Sequence, residues 1–303
     1  MHQPSHHPHR RTVAIATWLV SGATVVACGG GRRLPVEVPA PSPAAVAPAA
    51  FAYAPGERKA FFESRATVRV AGDTSTVIDT VVTRLYATFR IVPSIPSATP
   101  AAAATLGGSV DSVMIDAGSH ASVGSGTPPL AAPIPLAGTV EGGSVRLDIP
   151  SAATTDCDSP VGAYLAMTSD LLPSLPPHLA PGDSWSDTVT STSCRGGVVL
   201  TTVATHRYVV QDTAAVHDDR RVTRVARTTS YRLSGTGAQA GVPVRVAGDG
   251  TREGELLVDV SAGQLLTTTA RSSLNLTFEA VGRVQRVVQD GVQRLVMTVP
   301  PEP

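Results

Sequence analysis

Long runs of alternating apolar and polar residues are the feature that most restricts the fold of this chain. In 65–70 and 84–91, apolar side chains occupy every second position. Successive side chains of a β-strand point to opposite faces of a sheet, so this period indicates strands with one buried and one solvated face. The pattern recurs in the C-terminal half, in 198–210, 222–233, 255–260, 265–279 and 283–299. The chain is therefore predicted to be mainly β, with a curved antiparallel sheet that forms a half-barrel or an open barrel.

One segment has the spacing of a helix instead. Ser159 is suited to the N-cap and Pro160 to the first helical turn, while Pro173 ends the segment. Residues at helical spacing lie on one face, namely Val161, Tyr164, Leu165, Thr168 and Leu172. We therefore expect one short helix between the two halves of the sheet.

Glycine patterns indicate where strands turn or bend. Asp290-Gly291 interrupts the last strand segment, and Asp-Gly is a strong signal for a two-residue hairpin turn. We therefore expect 283–299 to fold back on itself there. The pairs Gly235/Gly237 and Gly248/Gly250 lack the spacing and the strand–turn–helix context of a dinucleotide fingerprint. These pairs are more typical of bends or bulges in a curved sheet.

The first 27 residues have the organisation of an export signal. Arg10 and Arg11 belong to a basic start, and 12–27 is an apolar run shorter than the roughly 20 residues of a membrane span. The run ends in Val25-Val26-Ala27-Cys28-Gly29, which resembles the lipobox of bacterial lipoproteins. The resemblance implies cleavage before Cys28 and lipidation of that cysteine. An ordinary signal peptide cleaved nearby is the alternative.

The organisation of the rest of the chain follows from this prediction. Lipidated Cys28 makes the membrane a partner through a lipid anchor. Gly29 rather than Asp after the cysteine implies, by resemblance to lipoprotein sorting in diderm bacteria, an outer-membrane location facing the periplasm, with the cell surface as the alternative. The Pro-, Ala- and Gly-rich segment 28–50 is predicted to be a disordered tether. Residues 51–303 are predicted to form one β-rich domain, with a mobile insertion around 93–137 that holds one candidate strand, 110–116.

The charge of the chain excludes one class of function. There are 24 basic and 24 acidic residues. A nucleic-acid-binding protein needs a basic stripe that replaces the counterions of the phosphates. We therefore expect no nucleic-acid partner.

Cys157 and Cys194 are the two cysteines that remain after lipidation. Because an exported protein enters an oxidising compartment, a structural disulfide between them is favoured. A nucleophilic or metal-binding role would need histidine partners nearby in the fold. No Cys-x-x-Cys or His-x-x-His spacing points to a metal site, and no motif points to a cofactor.

Two short motifs invite a catalytic interpretation. Gly182-Asp183-Ser184-Trp185 is similar to the nucleophile block of one esterase family, which makes a hydrolase that uses Ser184 a third hypothesis. The Asp-x-x-His that accompanies that block is absent from this sequence, and a turn that leads Trp185 into the core explains the motif as well. His217-Asp218-Asp219 is more typical of a solvated hairpin end than of an acid–base pair. We therefore assign no catalytic residue and predict that the protein is not an enzyme.

The order of features is similar to that of β-rich bacterial lipoproteins of unassigned function. The similarity covers the helix, 172–176, 181–185 and the strands that end at Val299. More distantly, the pattern resembles the outer-membrane lipoprotein carriers, in which a half-barrel wraps a helix and shelters acyl chains. This chain departs from their aromatic lining, since it has five Phe, five Tyr and two Trp. We therefore expect a non-catalytic binding or structural protein of the cell envelope, whose partner is an apolar ligand or an envelope protein; the alternative is an apolar-ligand or lipid-chaperoning module.

Overall fold

Eleven antiparallel strands form one curled sheet in the computed structural model, which describes residues 50–71, 76–93, 103–117, 130, 132–149, 156–157, 161–168, 171–239 and 241–299. In that part of the chain, the first strands are β1 (Gly56–Ala71), β2 (Thr76–Pro93), β3 (Ala104–Ala117), β4 (Ile134–Glu141) and β5 (Ser144–Leu147). The later strands are β6 (Ser184–Arg195), β7 (Val198–His217), β8 (Arg220–Gln239), β9 (Val242–Asp259), β10 (Gln264–Ala280) and β11 (Arg283–Thr298). The predicted antiparallel half-barrel is confirmed.

The order of the strands leaves one side of the half-barrel open. They lie in the order β5-β4-β3-β2-β1-β11-β10-β9-β8-β7-β6, so that β5 and β6 are the two edges. The helix α1 (Val161–Thr168) belongs to the connection between these edges. It contacts β3 on one side and β6 on the other, so it lies across the open side of the sheet.

The predicted alternation produces the two faces of the sheet. In β1, Ala66, Val68 and Val70 are buried, whereas Arg65 and Arg69, at alternate positions, are exposed. The strands are longer than the sequence pattern predicts. The predicted strand 255–260, for example, covers only the end of β9. The alternation is hidden elsewhere in β9 because glycine and arginine occupy inward positions there.

The predicted helix is confirmed over α1. Tyr164, Leu165 and Thr168 are buried on its inner face, and the Thr168 hydroxyl donates to the carbonyl of Leu165 at 2.7 Å. The prediction that Leu172 belongs to this helix is wrong, because Leu172 lies beyond its end in a non-helical segment, although it is buried in the core. Ser159 and Pro160 lie outside the described residues.

The segment before β1 closes one end of the half-barrel. The Phe51 N–H donates to the Pro177 carbonyl at 2.6 Å, and the Tyr53 hydroxyl donates to the Pro173 carbonyl at 2.7 Å. Burial, together with the nearby Tyr208, raises the pKa of Tyr53, so its hydroxyl keeps the proton that it donates. The N-terminal segment and the residues after α1 are therefore joined into one apolar layer over the sheet.

The stretch around 93–137, predicted as a mobile insertion, contributes strands to the sheet. The candidate strand 110–116 is part of β3, and β4 begins in the same stretch. Leu106, Val110 and Val113 of β3 are buried, which explains why this segment pairs with β2. Residues 94–102, 118–129 and 131 lie outside the described residues, and mobility there stays a prediction.

The hairpin predicted at Asp290-Gly291 is wrong, because β11 runs through these residues without a turn. Gly291 pairs with Ala66 of β1 and Ser272 of β10. The Asp290 carboxylate accepts a hydrogen bond from the Ser273 hydroxyl at 2.8 Å and contacts the Arg69 guanidinium. Pairing on both sides of the strand therefore overrides the local preference of Asp-Gly for a turn.

The turn before β11 lies instead at Val281-Gly282. Ala280 pairs with Arg283, and Val281 and Gly282 have φ values of 50° and 69°. Positive φ at both central residues is the conformation of a type I′ turn, which suits Asn-Gly and strains a β-branched residue. Val281 is 80% exposed. The conformation of the turn, and not packing of the side chain, therefore determines which residue suits this position.

We expect Val281→Asn to stabilise the protein by about 1 kcal/mol, because asparagine tolerates the left-handed conformation. For a domain of this size the melting temperature should rise by roughly 2–4 °C in thermal unfolding. Val284→Asn is the matched control, since Val284 is also exposed (60%) but lies in β11. An equal rise for both variants would show that removal of an exposed valine, and not the turn, is responsible.

Candidate functional site: a cavity crossed by polar side chains

A cavity of about 250 Å³ lies between α1 and the concave face of the sheet. Ala166 and Met167 of α1 line one side, and inward residues of β1 and β6–β11 line the rest. Concave sites with a mostly apolar wall and a few convergent polar groups are the usual form of small-molecule sites. The cavity is therefore the candidate functional site.

A band of polar side chains, the polar belt, crosses the concave face at the level of this cavity. It consists of His206 (β7), Arg227, Thr229 and Tyr231 (β8), Arg252 (β9), Ser272 (β10), and Gln289 and Gln293 (β11). Strand register aligns four of them, since His206 pairs with Thr229, Thr229 with Arg252 and Arg252 with Ser272. The belt separates an apolar cluster that includes α1 from a second cluster at the other end of the sheet.

Most of the belt is buried, although Tyr231 and Arg252 are half-buried, and the belt carries positive charge. Arg227 is 3% exposed, and an arginine stays protonated even when burial is unfavourable. The Arg252 guanidinium carbon lies 5.2 Å from the centroid of the Tyr231 ring, in cation–π geometry. His206 Nδ1 lies 2.9 Å from the Thr229 hydroxyl oxygen. Two guanidinium groups, one buried and one half-buried, therefore face the cavity.

Glycines of β9 leave space for the long side chains of the belt. Gly250 pairs with Tyr231 and Gly254 with Arg227 on the neighbouring strand. A Cβ on Gly254 would lie 2.4 Å from the Thr269 carbonyl oxygen and 2.8 Å from the Ala270 Cβ. The glycines thus permit a close approach of strands, as the sequence predicts for a curved sheet, and they also keep this part of the concave face open.

Apolar side chains flank the belt on both sides. Phe62 and Met167 lie towards α1, and Leu233 and Leu274 lie towards the other end, each only partly buried. Among the described residues of the cavity wall, the aromatic side chains are Phe62 and Tyr231, so the apolar part of the lining is mainly aliphatic. A ligand with an aliphatic part and a polar group matches this wall.

The structure joins Cys157 and Cys194 in the predicted disulfide. Their Cα atoms are 4.8 Å apart, and the bridge closes a separation of 37 residues. Cys194 is buried near the end of β6, whereas Cys157 is exposed in the connection that precedes α1. The bridge therefore attaches this connection to an edge of the sheet, outside the cavity wall.

Among the residues that the structure describes, Ser184 has no catalytic surroundings. It is exposed at the start of β6, and strand alternation directs it to the face opposite the neighbouring Trp185. Trp185 is half-buried and stacks on Tyr208, with ring centroids 4.8 Å apart. His206 belongs to the concave face, on the other side of the sheet from Ser184. The interpretation of 182–185 as a turn that leads Trp185 into the core is confirmed.

The other residues singled out in the sequence are not brought together. His217 lies at the exposed β7–β8 turn, with Nε2 3.5 Å from the Asp218 carboxylate, which is the predicted solvated hairpin end. His178 is exposed. Cys28 and His120 lie outside the described residues.

The polar belt is not among the features predicted from the sequence. The available signal is polar residues at inward positions of alternating strands, as in Val225, Arg227, Thr229 and Tyr231 of β8. Each strand taken alone shows only an interrupted pattern. The belt becomes visible when the register of five strands is known.

Searches for other kinds of site add no further candidate. In the described ranges, no three His, Cys, Asp or Glu residues are grouped as metal ligands, and no helix is long and apolar enough to cross a membrane. Comparison with protein-family models and with curated proteins finds no match.

Proposed function

We propose that this chain is a non-catalytic binding protein of the cell envelope that holds a small amphipathic ligand in the cavity. The observation that carries the proposal is the mixed wall of this cavity, in which the polar belt lies between two aliphatic surfaces. A purely structural protein would gain stability from filling this space, because an unfilled interior loses van der Waals contacts. Buried arginine also favours a binding role, since it is costly to stability and well suited to recognition.

The size of the cavity favours a small ligand over the multi-chain lipids implied by the resemblance to lipoprotein carriers. A volume of 250 Å³ accommodates about eight groups of the size of a water molecule, at ~30 Å³ each. One short aliphatic chain with a polar group fills that volume. Several long acyl chains would exceed this volume.

We expect Ala270→Leu to abolish most ligand binding. Ala270 is 5% exposed and lines the cavity between Gly254 and Gln293. The three added carbons, at ~30 Å³ each, occupy roughly a third of the volume. Native mass spectrometry of the Cys28→Ala form, which avoids detergent, should show a bound small molecule that is at least tenfold depleted by the substitution.

Thr269→Leu is the matched control, because Thr269 is exposed on the opposite face of β10. It should retain the ligand at the level of the unsubstituted protein, and both variants should melt cooperatively. If the protein carries no small molecule and takes up neither octanoate nor octanol at millimolar concentration, the proposed function is wrong.

A further inference from the structure

The charge of the cavity wall restricts the chemical class of ligand. Arg227 and Arg252 line the cavity, and the described part of the wall contains no aspartate or glutamate. The nearest carboxylate in register is Asp187, half-buried on the edge strand β6, where it pairs with His206. Even with Asp187 counted and His206 neutral, the region has a net charge of about +1. A monoanion is the ligand that balances it.

The belt also supplies directional donors for such an anion. A guanidinium presents its N–H groups in a planar fork that matches the two oxygens of a carboxylate. Tyr231, stacked against Arg252, and the amides of Gln289 and Gln293 line the same cavity. These residues already interact within the protein or are buried in its wall. The preference for an anion therefore rests on the net charge of the region and on the position of the two arginines in the cavity.

The surroundings of the belt define the rest of the ligand. Phe62 and Met167 on one side, and Leu233 and Leu274 on the other, present partly covered apolar surface to the cavity. A chain that leaves the belt in either direction therefore contacts aliphatic surface. A chain of about eight carbons, at ~30 Å³ each, would fill this volume.

Resting on the proposed function, we propose that the cavity binds a medium-chain aliphatic carboxylate, with its carboxylate between Arg227 and Arg252 and its chain on the flanking apolar surface. The class of ligand is therefore a single-chain fatty acid or a similar monocarboxylate. A phosphate dianion would exceed the charge of the site, and a neutral lipid would leave the two arginines without an added counter-charge.

Calorimetric titration of the detergent-free Cys28→Ala chain with octanoate, octanol and octyl phosphate tests this assignment. Octanoate should bind at least tenfold more tightly than octanol, because hydrogen bonds to a charged group are worth about 1.5–3 kcal/mol. It should also bind more tightly than octyl phosphate. Tighter binding of octyl phosphate would overturn the carboxylate assignment.

Variants of the belt provide a second test on the protein side. Arg252→Gln and Arg227→Gln should each weaken octanoate binding by about 10–100-fold and leave octanol binding within threefold. Arg232→Gln removes the same charge from the exposed face of β8 and should change neither affinity. Thermal unfolding identifies any variant that fails to fold. The comparison of the three ligands uses the protein with its belt unsubstituted, so it does not depend on the variants.

The outcomes separate this inference from the proposed function. Equal affinity for octanoate and octanol, or equal losses for both in the arginine variants, would overturn the carboxylate assignment and leave the binding cavity intact. Absence of binding for all three probes would overturn the carboxylate assignment, and it would overturn the proposed function as well if the purified protein also carries no small molecule.

Discussion

Replacing Cys28 by alanine is expected to move the protein from the membrane fraction to the soluble fraction of the cell envelope. The lipobox resemblance makes Cys28 the acylated residue, and each buried CH₂ of an acyl chain supplies about 0.8 kcal/mol of membrane affinity. Stable attachment takes more than one chain, so loss of the acylated cysteine should release nearly all of the protein. Cell fractionation with immunoblotting measures the distribution, and mass spectrometry of the mature N-terminus identifies the acyl groups.

Cys157→Ser is the control for this experiment, because it removes a cysteine that lies in the disulfide. It should leave the protein in the membrane fraction. If the Cys28→Ala protein stays in the membrane pellet after a carbonate wash, the lipobox prediction is wrong. A mature N-terminus without acyl mass would instead support the ordinary signal peptide.

Loss of the Cys157–Cys194 disulfide should destabilise the protein by about 3–4 kcal/mol. In the chain-entropy model, a bridge across 37 residues restricts the unfolded chain by this amount. Cys157 is exposed, so Cys157→Ser removes the bridge without removing a buried side chain. The melting temperature should fall by roughly 10 °C, measured by circular dichroism.

Reductant separates the bridge from the substitution itself. Reduction should lower the melting temperature of the unsubstituted protein to that of Cys157→Ser and have no effect on the variant. The double variant Cys157→Ser/Cys194→Ala should match the single variant closely. A melting temperature that changes with neither the reductant nor the substitution would contradict a stabilising disulfide.

Sequence periodicity is sufficient to predict the half-barrel, because the two-residue period of 65–70 or 84–91 requires a sheet with one buried face. The helix is also predictable, because its buried residues lie on one helical face. The disulfide could also be predicted, because the export signal predicted in 1–27 implies an oxidising compartment, where two remaining cysteines are most simply explained as a pair.

The turns are less predictable, because pairing partners decide them. Asp290-Gly291 has the stronger turn composition, but β1 and β10 pair with it on both sides and keep the strand straight. Val281 has poor composition for a left-handed turn, but it lies where the two long strands must reverse. Local preference is worth about 1 kcal/mol at such positions, which is less than the pairing of two whole strands.

For a related reason, the polar belt cannot be predicted from the pattern of any single strand. His206, Arg227 and Arg252 come from three strands, and only their register brings them to one level of the concave face. In each strand, the polar residue appears as a gap in the alternation. The candidate site is thus a property of the assembled sheet.

The strand order has a consequence for the sequence of events in folding. Among the described strands, β1–β11 is the pairing that joins strands far apart in the chain, whereas the other pairs are successive hairpins. Each hairpin joins strands that are successive in the chain and can form early, but the β1–β11 pairing requires the last strand to be available. Until then β1 presents an unpaired edge, which can associate with other chains. The β1–β11 pairing is therefore the late step, and the edge of β1 stays exposed to other chains until the C-terminal strand has been made and has reached it.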